Sequence, residues 1–257
     1  MTASRRTGRI PSRRDPRTLR MASYLGARTA LPTPPDARDW THPTHAPMWG
    51  MWSNDVAGDC TCASRAHILQ AEASNAGHPA PSITDAEVLA LYTAVTGYDP
   101  ARPETDRGAQ MIDVLRMLKK RGIAGQQIGA YVAVDPTNRL EVEHAINICG
   151  SLYLGLSLPT AWEVATTWDV APPNAALAPW KAGSWGGHAV AVLAYDRTGL
   201  WAISWGALKR ITWEGLFAYG DEAWTTIDSL WLQDCGETPS GFNAVQLVQD
   251  LARIGAA

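Results

Sequence analysis

The stretch "WSNDVAGDCTCASRAH", residues 52–67, decides how the chain is read. It places Cys60 and Cys62 one residue apart where helical periodicity begins, with Asp59 in the position of a side-chain N-cap. A thiol in the first turn of a helix is a candidate nucleophile, because the unpaired N–H groups and the helix dipole favour the thiolate there. The Asp59 carboxylate opposes that effect unless it turns onto the backbone as a cap. In the competing reading both cysteines are small, buried, apolar residues. Cys62 leaves the helix axis about 200° round from Cys60, so only one of the two can face a given pocket.

Helices dominate the chain outward from this point. "CTCASRAHILQAEASNAG" runs to a stop at Gly77. "TDAEVLALYTAV" opens with Thr84 and Glu87 at capping-box spacing, and Asn138 with Glu141 repeats the pattern for a helix through about Ile148. "GAQMIDVLRMLKKRG" gathers Met111, Val114, Leu115 and Leu118 on one face and stops at Gly122. After Gly150 the period changes. "SLYLGLSLP" reads as a strand, and "HAVAVLAYD" with "LWAISWG" flanks Arg197-Thr198-Gly199 as a hairpin. Thr212 and Asp221 bracket one more helix, "WTTIDSLWL" reads as a strand, and Phe242 to Ile254 as a closing amphipathic helix. Helices first and strands second predict an α+β fold with an antiparallel sheet.

The 257 residues, 46% hydrophobic and 18% charged, are enough for a core without disulfide staples, so the four cysteines are expected as free thiols. A net charge of −3 makes no overall call for nucleic acid or membrane. With no apolar run of bilayer length and no signal-peptide core, a cytoplasmic location is expected. The charge is uneven, with seven arginines in residues 1–20 against Asp15 alone. Residues 1–46, rich in Arg and Pro, read as an arm, and residues 47–257 as the domain. The basic part of the arm is either a solvated tail or a docking element for an acidic partner or, less expected, nucleic acid.

A thiol nucleophile needs a histidine. His67 lies two turns along the helix of Cys60, too far to reach it. His42 and His45 sit in the arm, short of the ligands a metal needs. His78 reads as a loop residue and His144 as helix surface. His188 stands apart, because "GSWGGHAVAVLAYD" puts it at the start of an apolar strand after Gly186 and Gly187, where another backbone or a substrate can approach closely. The alternative is a hydrogen-bonded core histidine. Cys149 and Cys235 carry no such signal. Trp162, Trp168, Trp180 and Trp185 crowd the segment before His188, either as core or as walls of a cleft.

Taken in order, these motifs resemble the papain-like cysteine peptidases, in the compact form seen in bacteria and their viruses. "NDVAGDCT" resembles the run from the oxyanion glutamine to the nucleophile, "TDRGAQMIDVLRMLKKRGI" the Asp-x-Gly segment, "AINICGSLYLGLSLP" the passage before the histidine, "GGHAVAVLAYD" the histidine strand and "ISWGALKRITWEG" the Asn-Ser-Trp-Gly motif. The likeness covers roughly residues 50–235, with Cys60 and His188 128 residues apart. It implies a helical half packed on an antiparallel-sheet half, with the site in the cleft between them. It also implies Cys60 as nucleophile, His188 as base, and an oxyanion held by Asn54 and the Cys60 N–H. Asn54 stands where the family has glutamine. The asparagine that orients the histidine is replaced, its position falling on Ile203 or Ser204, and Ser204 is the residue able to accept a bond from His188. Trp185, Gly186, Gly187 and Trp205 would line the substrate site. A peptide or protein substrate is implied, with no metal or organic cofactor. Two other readings stand beside this one. One is a papain-fold structural or interaction protein without activity, in a virion or at a host surface, with the arm as its docking element. The other is a cell-wall peptide amidase, which the Trp-rich loop would suit.

Overall fold

The computed structural model describes residues 5–13, 15–16, 18–27, 33–41, 49–233, 237–241, 243 and 249. The arm supplies β1 (Arg9–Ile10), α1 (Met21–Ala27) and β2 (Arg38–Asp39). The helical half supplies α2 (Cys60–Asn75), α3 (Asp85–Thr96), β3 (Ala109–Gln110), α4 (Met111–Lys120), β4 (Ala130–Val134) and α5 (Arg139–Cys149). The sheet half supplies β5 (Leu152–Leu158), β6 (Thr167–Trp168), β7 (Gly186–Asp196), β8 (Gly199–Ser204), β9 (Ala207–Thr212), α6 (Trp213–Tyr219) and β10 (Gly220–Ile227). The expected α+β architecture is present. The main sheet runs β4-β10-β5-β7-β8-β9-β6, antiparallel except where β6 joins β9, and β2 adds to β7.

Local signals set the element ends. Thr84 and Glu87 close a reciprocal capping box at α3, and Gly97 stops that helix in the left-handed region. Thr212 caps α6 by accepting from the Gly215 N–H. At α5 the Asn138 side chain accepts from the Glu141 N–H, but Glu141 answers the Asn138 side chain and the Asp135 N–H instead of the cap backbone. The strand read in "WTTIDSLWL" begins earlier, at Gly220, and gives way to a short 3-10 turn at Ser229–Trp231. The closing helix expected at Phe242 to Ile254 lies outside the described residues, apart from isolated positions.

The centre of the molecule is α2 against β7 and β5. Of the sixteen residues of α2, fifteen are buried, polar ones included, because helices and sheet surround it. Ser64 Oγ donates to the Ala189 carbonyl at 2.8 Å, and Tyr153 donates its hydroxyl to the Thr61 carbonyl at 2.8 Å. These two bonds fix the first turns of α2 against the start of β7. One turn further on, Arg65 pairs with Asp228 at 3.2 Å, with both side chains buried. Glu72 lies in the same cluster and accepts from the Ser151 hydroxyl at 2.9 Å. Burial, with the Asp228 carboxylate nearby, holds its carboxyl well above the usual range, so Glu72 stays neutral beside the Arg65–Asp228 pair.

Removing one partner of a buried ion pair leaves the other uncompensated, at a cost of about 3–5 kcal/mol, whereas replacing both by apolar residues is close to neutral. Asp228→Ala is therefore expected to lower the urea midpoint severely, and the pair Arg65→Met with Asp228→Leu to restore most of the loss.

Candidate active site

Cys60 is the first residue of α2 and is buried. Its sulfur faces the backbone N–H groups of Ala189, the residue after His188, and of Gly8 in the arm. His188 opens the buried part of β7, and its Nε2 lies 3.0 Å from Ser204 Oγ. Its other nitrogen, Nδ1, is buried without a hydrogen-bond partner. The Trp205 indole lies flat on the imidazole, with ring centroids 3.9 Å apart and planes 12° apart. Trp185 leans on Trp205 at 5.2 Å. Trp162 and Trp168 instead stack on each other inside the core, 5.0 Å apart, so these two are packing residues and not cleft walls.

The cleft is not open. Residues 5–10 of the arm run through it, so this part of the arm is neither a solvated tail nor free to dock elsewhere. The Arg6 N–H donates to the Asn54 carbonyl, the Gly8 N–H to the Gly187 carbonyl and the Ala109 N–H to the Gly8 carbonyl, at 3.1, 3.1 and 2.8 Å. β1 then pairs with β3 in parallel. The fit depends on missing side chains. A Cβ on Gly8 would lie 1.9 Å from the Gly58 carbonyl oxygen, and one on Gly187 would lie 2.2 Å from the Arg9 carbonyl. Arg5 sits over the Trp205 ring, whose indole N–H donates to the Arg6 carbonyl at 2.9 Å. Further along, Arg13 pairs with Asp113, and the Ile112 N–H in the first turn of α4 donates to Ser12 Oγ.

Burial sets the protonation states. It pushes the Cys60 thiol up to about 11, overriding the helix terminus that was expected to lower it. It pulls the His188 imidazole down to about 3, with the Arg9 charge adding to the effect. Thiol and imidazole are both neutral in this closed state.

Asn54, expected as an oxyanion donor, is buried and turned inward. Its amide donates to the Ala57 carbonyl at 3.2 Å and faces the Asp59 carboxyl. Asp59 makes no side-chain cap on α2, contrary to expectation. Both its oxygens are buried without a well-formed bond, and burial pushes its carboxyl up to about 8 even though Asn54 opposes the shift.

The contribution of Asp106 was not foreseen. It receives the Gly58 N–H at 2.8 Å and the Tyr92 hydroxyl at 2.5 Å, while the Gly108 N–H donates to that hydroxyl at 2.9 Å. The Asp-x-Gly motif thereby holds the turn that leads into Cys60. Among the described residues, the other histidines and cysteines discussed stay out of the site. His67 is buried and bonded to the Gly50 carbonyl, Cys62 and Cys149 are buried elsewhere, and His144 is only 6% exposed, not the helix-surface residue expected. His42, His45 and Cys235 lie outside the described residues.

No family model matches the sequence, and no curated protein matches it. Among solved structures, xylellain, a cysteine protease from Xylella fastidiosa, superposes with a TM-score of 0.62 over 88% of this chain and 98% of its own, at 16% identity. Procathepsin L 3 of the Tenebrio molitor larval midgut gives 0.56 over 88% and 76%, at 10% identity. The Carica candamarcensis cysteine protease CMS1MS2, in complex with E-64, gives 0.52 over 75% and 98%, at 15% identity. The chain has the papain-like fold.

The buried Asp59 has a consequence for stability. Below its ordinary value of 3.8 the carboxyl is protonated whether the chain is folded or not. From there up to about 8 the unfolded chain ionises while the folded chain resists, so stability is lost as the pH rises through that window. Asp59→Asn is expected to raise the thermal midpoint at neutral and higher pH, and to match wild type below pH 3.8. Thermal unfolding across that range checks it.

Proposed function

We propose that the protein is a thiol hydrolase of peptide or related amide bonds, held closed by its own arm. The arm is residues 1–46 and the papain-like domain residues 47–257. The observation that carries the reading is the state of His188. One nitrogen is held by Ser204, the ring is covered by Trp205, and the remaining nitrogen is buried without a hydrogen-bond partner, one residue before Ala189, whose backbone N–H the Cys60 sulfur faces. That is how a base is prepared to take a thiol proton.

Once the arm lifts, Cys60 and His188 regain water, and the first turn of α2 favours the thiolate. Cys60 gives its proton to Nδ1 of His188, and its sulfur attacks the carbonyl carbon of the substrate. The oxyanion so formed meets the Cys60 N–H, which has no helical partner at the first turn of α2. Asn54 joins it if its amide leaves Ala57. Collapse breaks the C–N bond, the amine departs with the His188 proton, and water then hydrolyses the thioester. Ser204 is a positioning residue. Trp185, Gly186, Gly187 and Trp205 flank the path that a substrate would share with the arm.

The inward-turned Asn54 amide and the filled cleft also favour a second reading, in which the fold is kept for a structural role and Cys60 never reacts. Labelling with a thiol-directed peptidyl electrophile, read by mass spectrometry, separates the two. Under the hydrolase reading Cys60→Ala abolishes labelling, His188→Ala slows it severely and Cys62→Ala leaves it intact. Gly8→Ala, whose methyl group has no room under Gly58, is expected to label Cys60 about tenfold faster or more, because the competent open state becomes the main one. Absence of labelling in wild type and Gly8→Ala alike would leave the structural reading.

A further inference from the structure

The side chain of Arg9 lies in a built pocket. Its guanidinium is fully buried and bridges two carboxylates at the start of β10, Asp221 Oδ2 at 2.7 Å and Glu222 Oε2 at 3.1 Å. Partners in the domain also hold both carboxylates, and in the arm the Ser12 N–H donates to Glu222 Oε2 at 3.1 Å. Ser157 on β5 donates its hydroxyl to Asp221 at 2.6 Å, and the Trp224 indole N–H donates to Glu222 at 2.7 Å. Gly155 on β5 makes room for the arginine stem, since a Cβ there would lie 2.9 Å from both Arg9 Cδ and Met111 Sδ. The pocket lies beside His188 on the sheet, because Gly155 pairs with Ala189 on β7 and the Arg9 Nε would lie 3.7 Å from a Cβ on Gly187. The Arg9 backbone meanwhile runs over Gly187, along the path assigned above to a substrate.

We infer that Asp221 and Glu222 form a specificity pocket for a cationic side chain, with arginine preferred, and that Arg9 occupies it as a stand-in for a basic residue of the substrate. Asp221 keeps part of its side chain in water while Glu222 is mostly covered, and together they leave a neutral or acidic occupant with unbalanced negative charge, whereas a guanidinium satisfies both by charge-assisted bonds. The planar fork can reach two acceptors on different residues at once, which an ammonium does less well. Opposite charge on the pocket and a basic arm residue thus identify the class of ligand. The assignment of that ligand as substrate rests on the hydrolase reading. The cation pocket itself does not.

The test uses the full chain carrying Arg9→Ala, which empties the pocket. Ethylguanidinium is expected to raise its thermal midpoint saturably, and the neutral isostere ethylurea not to. The shift should vanish when Asp221→Asn and Glu222→Gln are added. Equal shifts with both compounds, a shift that survives loss of the carboxylates, or no shift at all would overturn the pocket. Should Arg9→Ala not unfold cooperatively, Arg9→Gln carries the same comparison. A second measurement addresses the substrate. Peptidyl electrophiles bearing arginine are expected to alkylate Cys60 in the Gly8→Ala chain about tenfold faster than their citrulline counterparts, the scale of one charge-assisted bond. That ratio should fall to near unity without the two carboxylates. Rescue by ethylguanidinium with no alkylation by either electrophile would sink the hydrolase reading and leave the pocket standing, and equal alkylation rates would sink the arginine preference.

Discussion

The buried guanidinium of Arg9 between Asp221 and Glu222 is the contact on which the closed state depends. A charge taken out of water must be paired, and breaking such a pair from one side is far costlier than losing a surface ion pair. This one joins the arm to the far edge of the cleft, so the intervening backbone, Gly8 included, is drawn across Gly58, Gly108 and Gly187. The arm backbone in turn lies against Gly58 and Gly187, beside the buried Cys60 and His188. Their neutral state follows from that burial, and the Arg9 charge reinforces it at the histidine. One ion pair therefore links the path of the chain, the packing of the cleft and the chemistry available in it.

The domain beneath the arm holds Cys60 and His188 each from two sides. α2 is clamped to β7 and β5 by Ser64 and Tyr153, which fixes where the Cys60 sulfur lies. Asp106 holds the turn before Cys60 from the opposite side. His188 is fixed by Ser204 below and Trp205 above. Trp205 itself has a backbone φ of 47°, a left-handed conformation that a bulky residue rarely adopts and that surrounding structure has to enforce. Its indole stacks on the histidine and donates to the Arg6 carbonyl, so the strained residue serves both the site and the arm.

Much of the fold was legible in the sequence because its signals are local. The cap at Thr84, the glycine stops at Gly77 and Gly122 and the hairpin around Arg197-Thr198-Gly199 each depend on a few neighbouring residues. His188 could be singled out because two glycines precede an apolar strand, and Ser204 because counting from His188 along the motif of the family the chain resembles reaches it, while counting from Trp205-Gly206 reaches Ile203. The arm could not be read this way. Its basic composition suggests solvation, but the partners of Arg9 lie more than two hundred residues further on, where no periodicity points back to them. Asp59 and His144 were misjudged for a related reason. Both have polar side chains at positions a local pattern assigns to a cap or a helix surface, and tertiary packing buries them. The inward turn of Asn54 depends on the buried Asp59, so it too was hidden.

The central claim is that the arm, and not the domain, keeps Cys60 unreactive. It is tested most directly by titrating the Cys60 thiol in wild type and in Gly8→Ala, taking the thiolate absorbance as the difference from the matching Cys60→Ala chain. The account predicts a wild-type thiol titrating near 11 and a Gly8→Ala thiol titrating clearly lower, because burial is the largest influence raising it and opening the arm returns water to the sulfur. The same high value in both chains would contradict it, placing the cause in the domain itself.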